Sequence, residues 1–151
     1  EFNARWGDPE AEVILPALQI DYLQIVESTL QGKLQTIKTR LDKETRISIV
    51  GCAYGYPQDY TSIKRKKVFG IRQASSIPGV TIFGAGIARK GTVLSVSGGR
   101  IFHLVGKGKN LIQARINAYK AMSMICVEGN NLHYRTDIGW KDMQRLYKKT
   151  N

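Results

Sequence analysis

Short strand-like segments separated by glycines dominate the middle of the sequence, and they restrict the possible fold more than any other feature. Five segments combine strand length with apolar and β-branched residues: 46–53, 67–71, 80–83, 92–96 and 100–105. Glycines recur between these segments, as is typical of tight turns between neighbouring strands. The spacing therefore predicts a small, mostly antiparallel sheet or a half-barrel.

The hydrophobic period changes after the last of these segments. Asn110 is placed to cap a helix, with Gln113 in the capping-box position. The apolar residues that follow lie on one helical stripe: Leu111, Ala114, Ala118, Met122 and Ile125. This stripe predicts a helix over 111–127 that packs across the sheet. A further strand over 132–135 and a last short helix complete an α+β fold.

The first part of the chain has a different pattern. Its apolar residues recur at three- and four-residue spacing, which predicts two helical pieces over 9–15 and 19–31, interrupted by Pro16. The apolar faces of both pieces are expected to pack. Residues 33–45 are polar and poorly periodic, which indicates a linker. We therefore place a boundary between two domains, 1–45 and 46–151.

The net charge of the 151 residues is +11, which raises the possibility of a nucleic-acid-binding module. The basic glycine turn at Gly106–Asn110 precedes the predicted helix, and a helix N-terminus favours anions. Its spacing is Gly-x-Gly, however, whereas a KH-type RNA clamp needs Gly-x-x-Gly. An enzyme with anionic substrates benefits equally from a positive field, so charge alone does not decide between the two classes.

Cysteine and histidine residues give no sign of a metal or catalytic site. Cys52 and Cys126 are far apart in the sequence, which predicts two buried thiols in a reducing cytoplasm. His103 and His133 have no cysteine or carboxylate at a ligand or catalytic spacing, so both are interpreted as packing or surface residues. No apolar run approaches the ~20 residues that a membrane span requires.

The stretch most informative about function is the opening one, Glu-Phe-Asn-Ala-Arg-Trp-Gly-Asp-Pro-Glu. As a strand, it would carry Glu1, Asn3 and Arg5 on one face, opposite an apolar face. Carboxylate and amide oxygens suit Mg²⁺, and a guanidinium matches the oxygens of phosphate. Asp8 is placed to cap the helix that follows. The spacing alone also fits an ordinary amphipathic edge strand.

This opening motif resembles the last catalytic strand of an ATP-grasp ligase family, the glycinamide ribonucleotide synthetases or phosphoribosylamine–glycine ligases. Later segments are similar, in the same order, to motifs of the C-terminal domain of that family: Gly55-Tyr56-Pro57-Gln58-Asp59-Tyr60, Ser97-Gly98-Gly99-Arg100-Ile101, Ala114-Arg115 with Ala118-Tyr119, and Arg135-Thr136-Asp137-Ile138-Gly139. Gln58 departs from the family pattern, which prefers glycine there. The resemblance covers the chain from its first residue to about residue 145.

The resemblance implies an ADP-forming ligation of 5-phosphoribosylamine to glycine, through glycyl phosphate, in purine biosynthesis. Matched by position, Glu1 and Asn3 would bind Mg²⁺ or Mn²⁺. Arg5 would be catalytic and would stabilise the transferring phosphoryl group or the acyl phosphate. Asp8 and Glu10 would contact the amine and glycine substrates.

In that family, most of the ATP site would lie upstream of Glu1. We therefore expect the chain to be the C-terminal portion of a longer cytoplasmic ligase: the last strand and helices of an ATP-grasp domain, then the small C-terminal domain. We expect it to need the missing N-terminal domains, to hold neither ATP nor a metal ion tightly, and to be inactive alone. Two alternatives stay open: a basic RNA- or DNA-binding module, and a relative that kept the fold and lost the chemistry.

Overall fold

The computed structural model describes residues 3–150, with side chains described as far as residue 146. Within this range the strands are β1 Thr45–Ala53, β2 Lys67–Phe69, β3 Val80–Gly84, β4 Ile87–Lys90, β5 Val93–Val96, β6 Arg100–Gly108, β7 Cys126–Val127 and β8 Leu132–His133. The α-helices are α1 Glu10–Ile14, α2 Tyr22–Leu30, α3 Ile71–Ser75, α4 Leu111–Met122 and α5 Trp140–Thr150.

The described strands form two antiparallel sheets of four. The first sheet has the order β3-β6-β1-β8 and the second the order β4-β5-β2-β7. The predicted combination of helices with antiparallel strands is therefore confirmed, although the strands divide into two sheets where one sheet or a half-barrel was expected. Among the described residues, no helix has both the length and the apolar character that crossing a bilayer requires.

The centre of the first sheet is the pair β1 and β6. Along β1, buried positions alternate with half-buried ones, as the period of two predicts. Ile47, Ile49 and Ala53 are among its buried residues. Strand β6 is buried along most of its length, because β1 and β3 flank it and α4 packs on it. The main hydrophobic core therefore lies between this sheet and α4.

Helix α4 approaches β6 very closely because the strand presents glycines to it. A Cβ atom at Gly106 would lie 2.6 Å from the Ala118 Cβ, and one at Gly108 would meet the start of the same helix. Asn110 caps the helix as predicted, since its Oδ1 accepts a hydrogen bond from the Gln113 N–H at 2.9 Å. The prediction of a basic glycine turn here is wrong, because both glycines lie within the strand and serve helix–strand packing.

The chain crosses between the two sheets at two corners that touch each other. Residues 85–86 lead from β3 to β4, and residues 97–99 lead back from β5 to β6. The N–H groups of Ser97 and Gly98 both donate to the Gly86 carbonyl, at 2.8 and 3.0 Å. A Cβ atom at Gly86 would lie 2.6 Å from the Gly98 Cα, so this crossing requires glycine. Strand β4, directly after the first corner, was not predicted.

The N-terminal segment forms two short helices on either side of Pro16, as predicted. Helix α1 passes into a 3₁₀ turn, and α2 begins after Asp21, whose side chain accepts a hydrogen bond from the Leu23 N–H at 2.9 Å. The expectation that the apolar face of α2 packs is wrong within the described residues, because none of its residues is buried. Leu30, for example, is 82% exposed.

The polar stretch before β1 folds back onto the N-terminal segment. Leu18 and Leu41 form an isolated antiparallel bridge, and the Asp42 N–H donates to the Ala17 carbonyl at 2.9 Å. The Arg46 guanidinium, at the start of β1, binds both carboxylate oxygens of Asp42. The stretch is therefore held in place, whereas a linker was expected; the domain boundary at its end stays a prediction.

We expect Asp42 to titrate in the folded protein with a pKa of about 2. Its hydrogen-bonded partner Arg46 lowers that pKa from the ordinary value of 3.8. Because the folded-state pKa is depressed, the contribution of the pair to stability is complete above about pH 4 and is lost as the pH falls toward 2. NMR titration of the carboxyl carbon would measure the pKa. Arg46→Gln should return it toward 3.8, and an unshifted Asp42 in the unchanged chain would contradict the ion pair.

The two cysteines are both free. Cys52 is half-buried, and burial raises the pKa of its thiol. Cys126 is exposed, so the prediction of two buried thiols is wrong for this residue. The reason is its position on β7, at the edge of the second sheet, where Val127 faces the core and Cys126 faces outward.

Candidate functional site

The opening segment is not a strand where the structure describes it. Residues 3–9 form neither strand nor helix, and Glu1 lies outside the described residues. The predicted alternation of faces is therefore wrong for this stretch. A strand needs a neighbouring strand to complete its hydrogen bonds, and no strand of the two described sheets pairs with this segment.

Asn3 and Arg5 nevertheless share one surface. Both are exposed, and they line an open hollow of about 500 Å³ together with Trp6 and Tyr22. The Trp6 indole N–H donates to the Tyr22 hydroxyl at 3.1 Å, which attaches the segment to α2. The hollow offers one amide oxygen and one guanidinium, with no carboxylate among its described residues. This donor set fits one side of a magnesium–phosphate site, and the metal and catalytic roles stay predictions.

Asp8 is the centre of an ionic cluster instead of a helix cap. Its Oδ2 lies 2.9 Å from the Arg100 Nη1, and its Oδ1 lies 3.3 Å from the His103 Nε2. The cap position of α1 belongs to Pro9, and no side chain caps that helix. The side chains of Asp8 and Arg100 are 39% and 43% exposed, whereas that of His103 is 3% exposed. The cluster therefore connects the opening segment to the buried strand β6.

His103 is buried in β6, as a packing residue should be, but carboxylates that no local spacing indicated also approach it. The fold brings both Asp8 and Glu12 to it, with one ligand atom of each residue within 4.8 Å of the others. The His103 Nδ1 and the Glu12 Oε2 are both buried without a hydrogen-bond partner. Local spacing could not reveal this arrangement, because most of the chain separates Asp8 from His103. The sequence marked only one partner of this cluster: Arg100, which binds Asp8, belongs to the Ser-Gly-Gly-Arg-Ile motif.

Glu10 has different surroundings. It is exposed at the start of α1 and lines a cavity of about 730 Å³ between α1, β1, the start of α4 and α5. Val13 and Ile47 contribute apolar lining, and Lys109 contributes a positive charge, whereas Arg145 is paired with Asp142 at 2.8 Å. The two predicted substrate-binding residues therefore lie at separate features: Asp8 in the ionic cluster and Glu10 at this cavity. Neither substrate contact is tested by the structure.

The Gly-Tyr-Pro motif supports the ionic cluster through packing. The Tyr56 ring lies against Gly99, where a Cβ atom would come 2.6 Å from the ring Cε2. The Tyr60 ring packs edge-on against Tyr56, with 5.8 Å between the ring centroids. Since Arg100 directly follows Gly99, this packing positions the backbone from which the guanidinium reaches Asp8.

The two remaining motifs contact each other and hold the segment before α5 against α4. The Tyr119 hydroxyl donates to the Arg135 carbonyl at 3.0 Å and accepts from the Ile138 N–H at 3.1 Å. The Arg115 guanidinium carbon lies 4.9 Å from the centroid of the Tyr119 ring. Arg135 also forms two hydrogen bonds with Asp137, at 2.9 and 2.7 Å, which lower the pKa of that carboxyl. Both motifs are therefore structural.

A family model described as the phosphoribosylglycinamide synthetase C domain matches residues 46–141. The chain belongs to this family. Membership of the phosphoribosylglycinamide synthetase C-domain family confirms the resemblance found in the sequence motifs, and the matched region contains both described sheets apart from the first residue of β1.

Relatives of this C domain are longer proteins, named as phosphoribosylamine–glycine ligases or as purine biosynthetic proteins. The phosphoribosylamine–glycine ligase of Caldanaerobacter subterraneus is 38% identical over 138 residues, covering 91% of this chain and 31% of the relative. The human trifunctional purine biosynthetic protein adenosine-3 is 38% identical over 142 residues, covering 93% of this chain and 14% of that protein. The crystal structure of the Thermotoga maritima phosphoribosylamine–glycine ligase matches with a TM-score of 0.64 at 29% identity, covering 91% of this chain and 32% of the other. The chain thus spans about a third of the length of its bacterial relatives.

Proposed function

We propose that the chain is the C-terminal portion of a cytoplasmic, ADP-forming phosphoribosylamine–glycine ligase, which joins 5-phosphoribosylamine to glycine in purine biosynthesis. The observation that carries the proposal is the C-domain match over residues 46–141, together with relatives that are named for this ligation. The opening Glu-x-Asn-x-Arg motif lies upstream of the matched region and contains the residues proposed for metal binding and catalysis.

In the proposed enzyme, Glu1 and Asn3 bind Mg²⁺ or Mn²⁺, and Arg5 binds the phosphoryl group that moves from ATP toward glycine. The metal ion, when bound, neutralises charge on the phosphates. The hollow that Asn3 and Arg5 share supports placing the metal ion and the phosphoryl group side by side. Asp8 and Glu10 contact the substrates that carry amines: Glu10 is exposed, and the Asp8 side chain, although bound to Arg100, is 39% exposed.

The proposal is tested with a ligase assembled from this chain and the upstream region of the Caldanaerobacter relative. We expect this protein to restore growth without added purine in a bacterium that lacks its own ligase. Asn3→Ala should abolish that growth, whereas Asn151→Ala, at the opposite end of the chain, should preserve it. A folded chimera that fails to release ADP in the presence of glycine, phosphoribosylamine and Mg-ATP would overturn the proposal.

The chain alone is expected to bind no ATP and to release no ADP. The hollow beside Asn3 and Arg5 is open, and the groups that grip the nucleotide in an ATP-grasp enzyme lie upstream in the proposed ligase. Isothermal titration calorimetry with Mg-ATP should show no binding heat at micromolar protein, while the assembled ligase under the same conditions should show it. Micromolar binding with steady ADP release by the chain alone would contradict this expectation.

A nucleic-acid-binding module is the second candidate, and the net charge of +11 favours it. Its other support, the basic turn at Gly106, is lost because that residue lies in β6 beneath α4. A gel shift with generic RNA that weakens steeply as salt rises would favour this candidate, since phosphate contacts release counterions. Absence of a shift at low salt would remove it.

A further inference from the structure

We propose that Asp8, Glu12 and His103 form a binding site for a divalent transition-metal ion of the zinc type. One ligand atom from each residue lies within 4.8 Å of both others. The group combines an imidazole with two carboxylates, a donor set that Zn²⁺ accepts in sites that keep a further position open for water or substrate. The proposed ligase function uses Asp8 for a substrate contact but gives no role to Glu12 or His103.

Unsatisfied buried atoms point to a ligand in the cluster. The side chain of His103 is 3% exposed, and its Nδ1 has no hydrogen-bond partner. The Glu12 Oε2 is likewise buried without a partner. Burying polar atoms unpaired is unfavourable, and a cation held between the imidazole and the carboxylates would compensate for the lost hydration of the Glu12 oxygen. The Glu12 carboxylate is one of the converging groups, and the imidazole presents its Nε2 to Asp8, at 3.3 Å from the Asp8 Oδ1.

Two of the three residues lie on regular elements that restrict their movement. His103 lies in the middle of β6, where its backbone is paired with Val50 of β1 on one side and Phe83 of β3 on the other. Glu12 lies on α1, and Asp8 lies just before that helix. A ligand on a central strand is positioned more accurately than one on a loop, so the imidazole defines the position of the proposed site.

Arg100 modulates the proposed site without filling it. Its Nη1 binds the Asp8 Oδ2 at 2.9 Å, whereas the Asp8 Oδ1 is directed toward the His103 Nε2 at 3.3 Å. The Arg100 side chain is 43% exposed, so it has room to turn toward solvent. The guanidinium therefore lowers the affinity for a cation but leaves one oxygen of Asp8 available to it.

The experiment measures zinc binding by the chain after treatment with a chelator. Equilibrium dialysis against Zn²⁺ is expected to give one ion per chain, and Co²⁺ should produce visible d–d absorption at the same stoichiometry. His103→Gln and Glu12→Gln should each weaken binding by at least about tenfold, because each removes a ligand. The matched exposed residues serve as controls, so His133→Gln and Glu27→Gln should bind as the original chain does.

Competition with Mg²⁺ distinguishes a specific zinc site from a general affinity for cations. Because Mg²⁺ prefers oxygen ligands and imidazole suits zinc, millimolar Mg²⁺ should leave the zinc bound. Three results would each show that the cluster is only an ion-pair network. These are displacement of the zinc by Mg²⁺, equal zinc binding by Glu12→Gln and the unchanged chain, and failure to bind zinc at one ion per chain. Far-UV circular dichroism checks that each variant folds. If His103→Gln does not fold, Glu12→Gln still tests the site, because Glu12 is a half-buried helical residue. Zinc binding requires no ligase activity, so failure here leaves the proposed function standing.

Discussion

Replacing Phe102 with alanine is expected to lower the free energy of unfolding by about 3–5 kcal/mol. Phe102 is fully buried at the centre of the first sheet. Its ring lies across Gly51, the paired residue of β1, where a Cβ atom would come 2.7 Å from the ring Cε1. Removing the ring leaves a cavity that the neighbouring glycine has no side chain to fill, so little relaxation can offset the loss.

Urea unfolding followed by circular dichroism would measure this effect. Phe69→Ala is the matched control, because Phe69 also lies in a strand but is 49% exposed. We expect the control to lose less than about 1 kcal/mol, in line with exposed substitutions. Similar losses for the two variants would show that the packing of Phe102 against Gly51 is not what stabilises the sheet.

Replacing Arg5 with alanine in the proposed ligase is expected to lower kcat by about 100- to 1,000-fold, the usual effect of removing a group that stabilises transition-state charge. The structure gives Arg5 a hydrogen bond to the adjacent Trp6 carbonyl and an exposed side chain. The free energy of unfolding should therefore change by no more than about 0.5 kcal/mol, which separates catalysis from folding.

Steady-state release of ADP by the assembled ligase would measure this change. Arg72→Ala removes the same side chain from an exposed position on α3, and its kcat should stay within about twofold of the unchanged enzyme. Arg5→Lys should recover only part of the rate, because lysine keeps the charge but lacks the planar fork. An unchanged kcat for Arg5→Ala would remove this residue from the proposed mechanism.

The sequence predicted correctly those elements whose formation depends on a few neighbouring residues. The alternation in β1 and the Asn110 cap of α4 were both readable from a few neighbouring residues. Strand β2 shows where this fails: it was expected to continue to Ile71 but ends at Phe69. Gly70 then adopts a φ of 83°, and its close approach to the Met124 backbone depends on a distant part of the chain.

The candidate site was less predictable than the fold because it depends on what the chain brings together. Helical periodicity identified the apolar face of α2, but it could not say which surface, if any, covers that face. Alternation of residue types likewise suggested an opening strand without showing a partner for it. The contact between Asp8 and His103 follows from the placement of α1 beside β6, which no short spacing encodes.

The strand order of the first sheet also has a consequence for how the protein forms during synthesis. β1 pairs with β6, as Thr45 does with Gly108, and also with β8, as Cys52 does with His133. Both partners leave the ribosome long after β1, and sheets built from such distant pairings fold slowly, typically in milliseconds to seconds. The β4–β5 hairpin is local and can form early. We therefore expect the sheet that carries His103 to be assembled late, once most of the chain has been made.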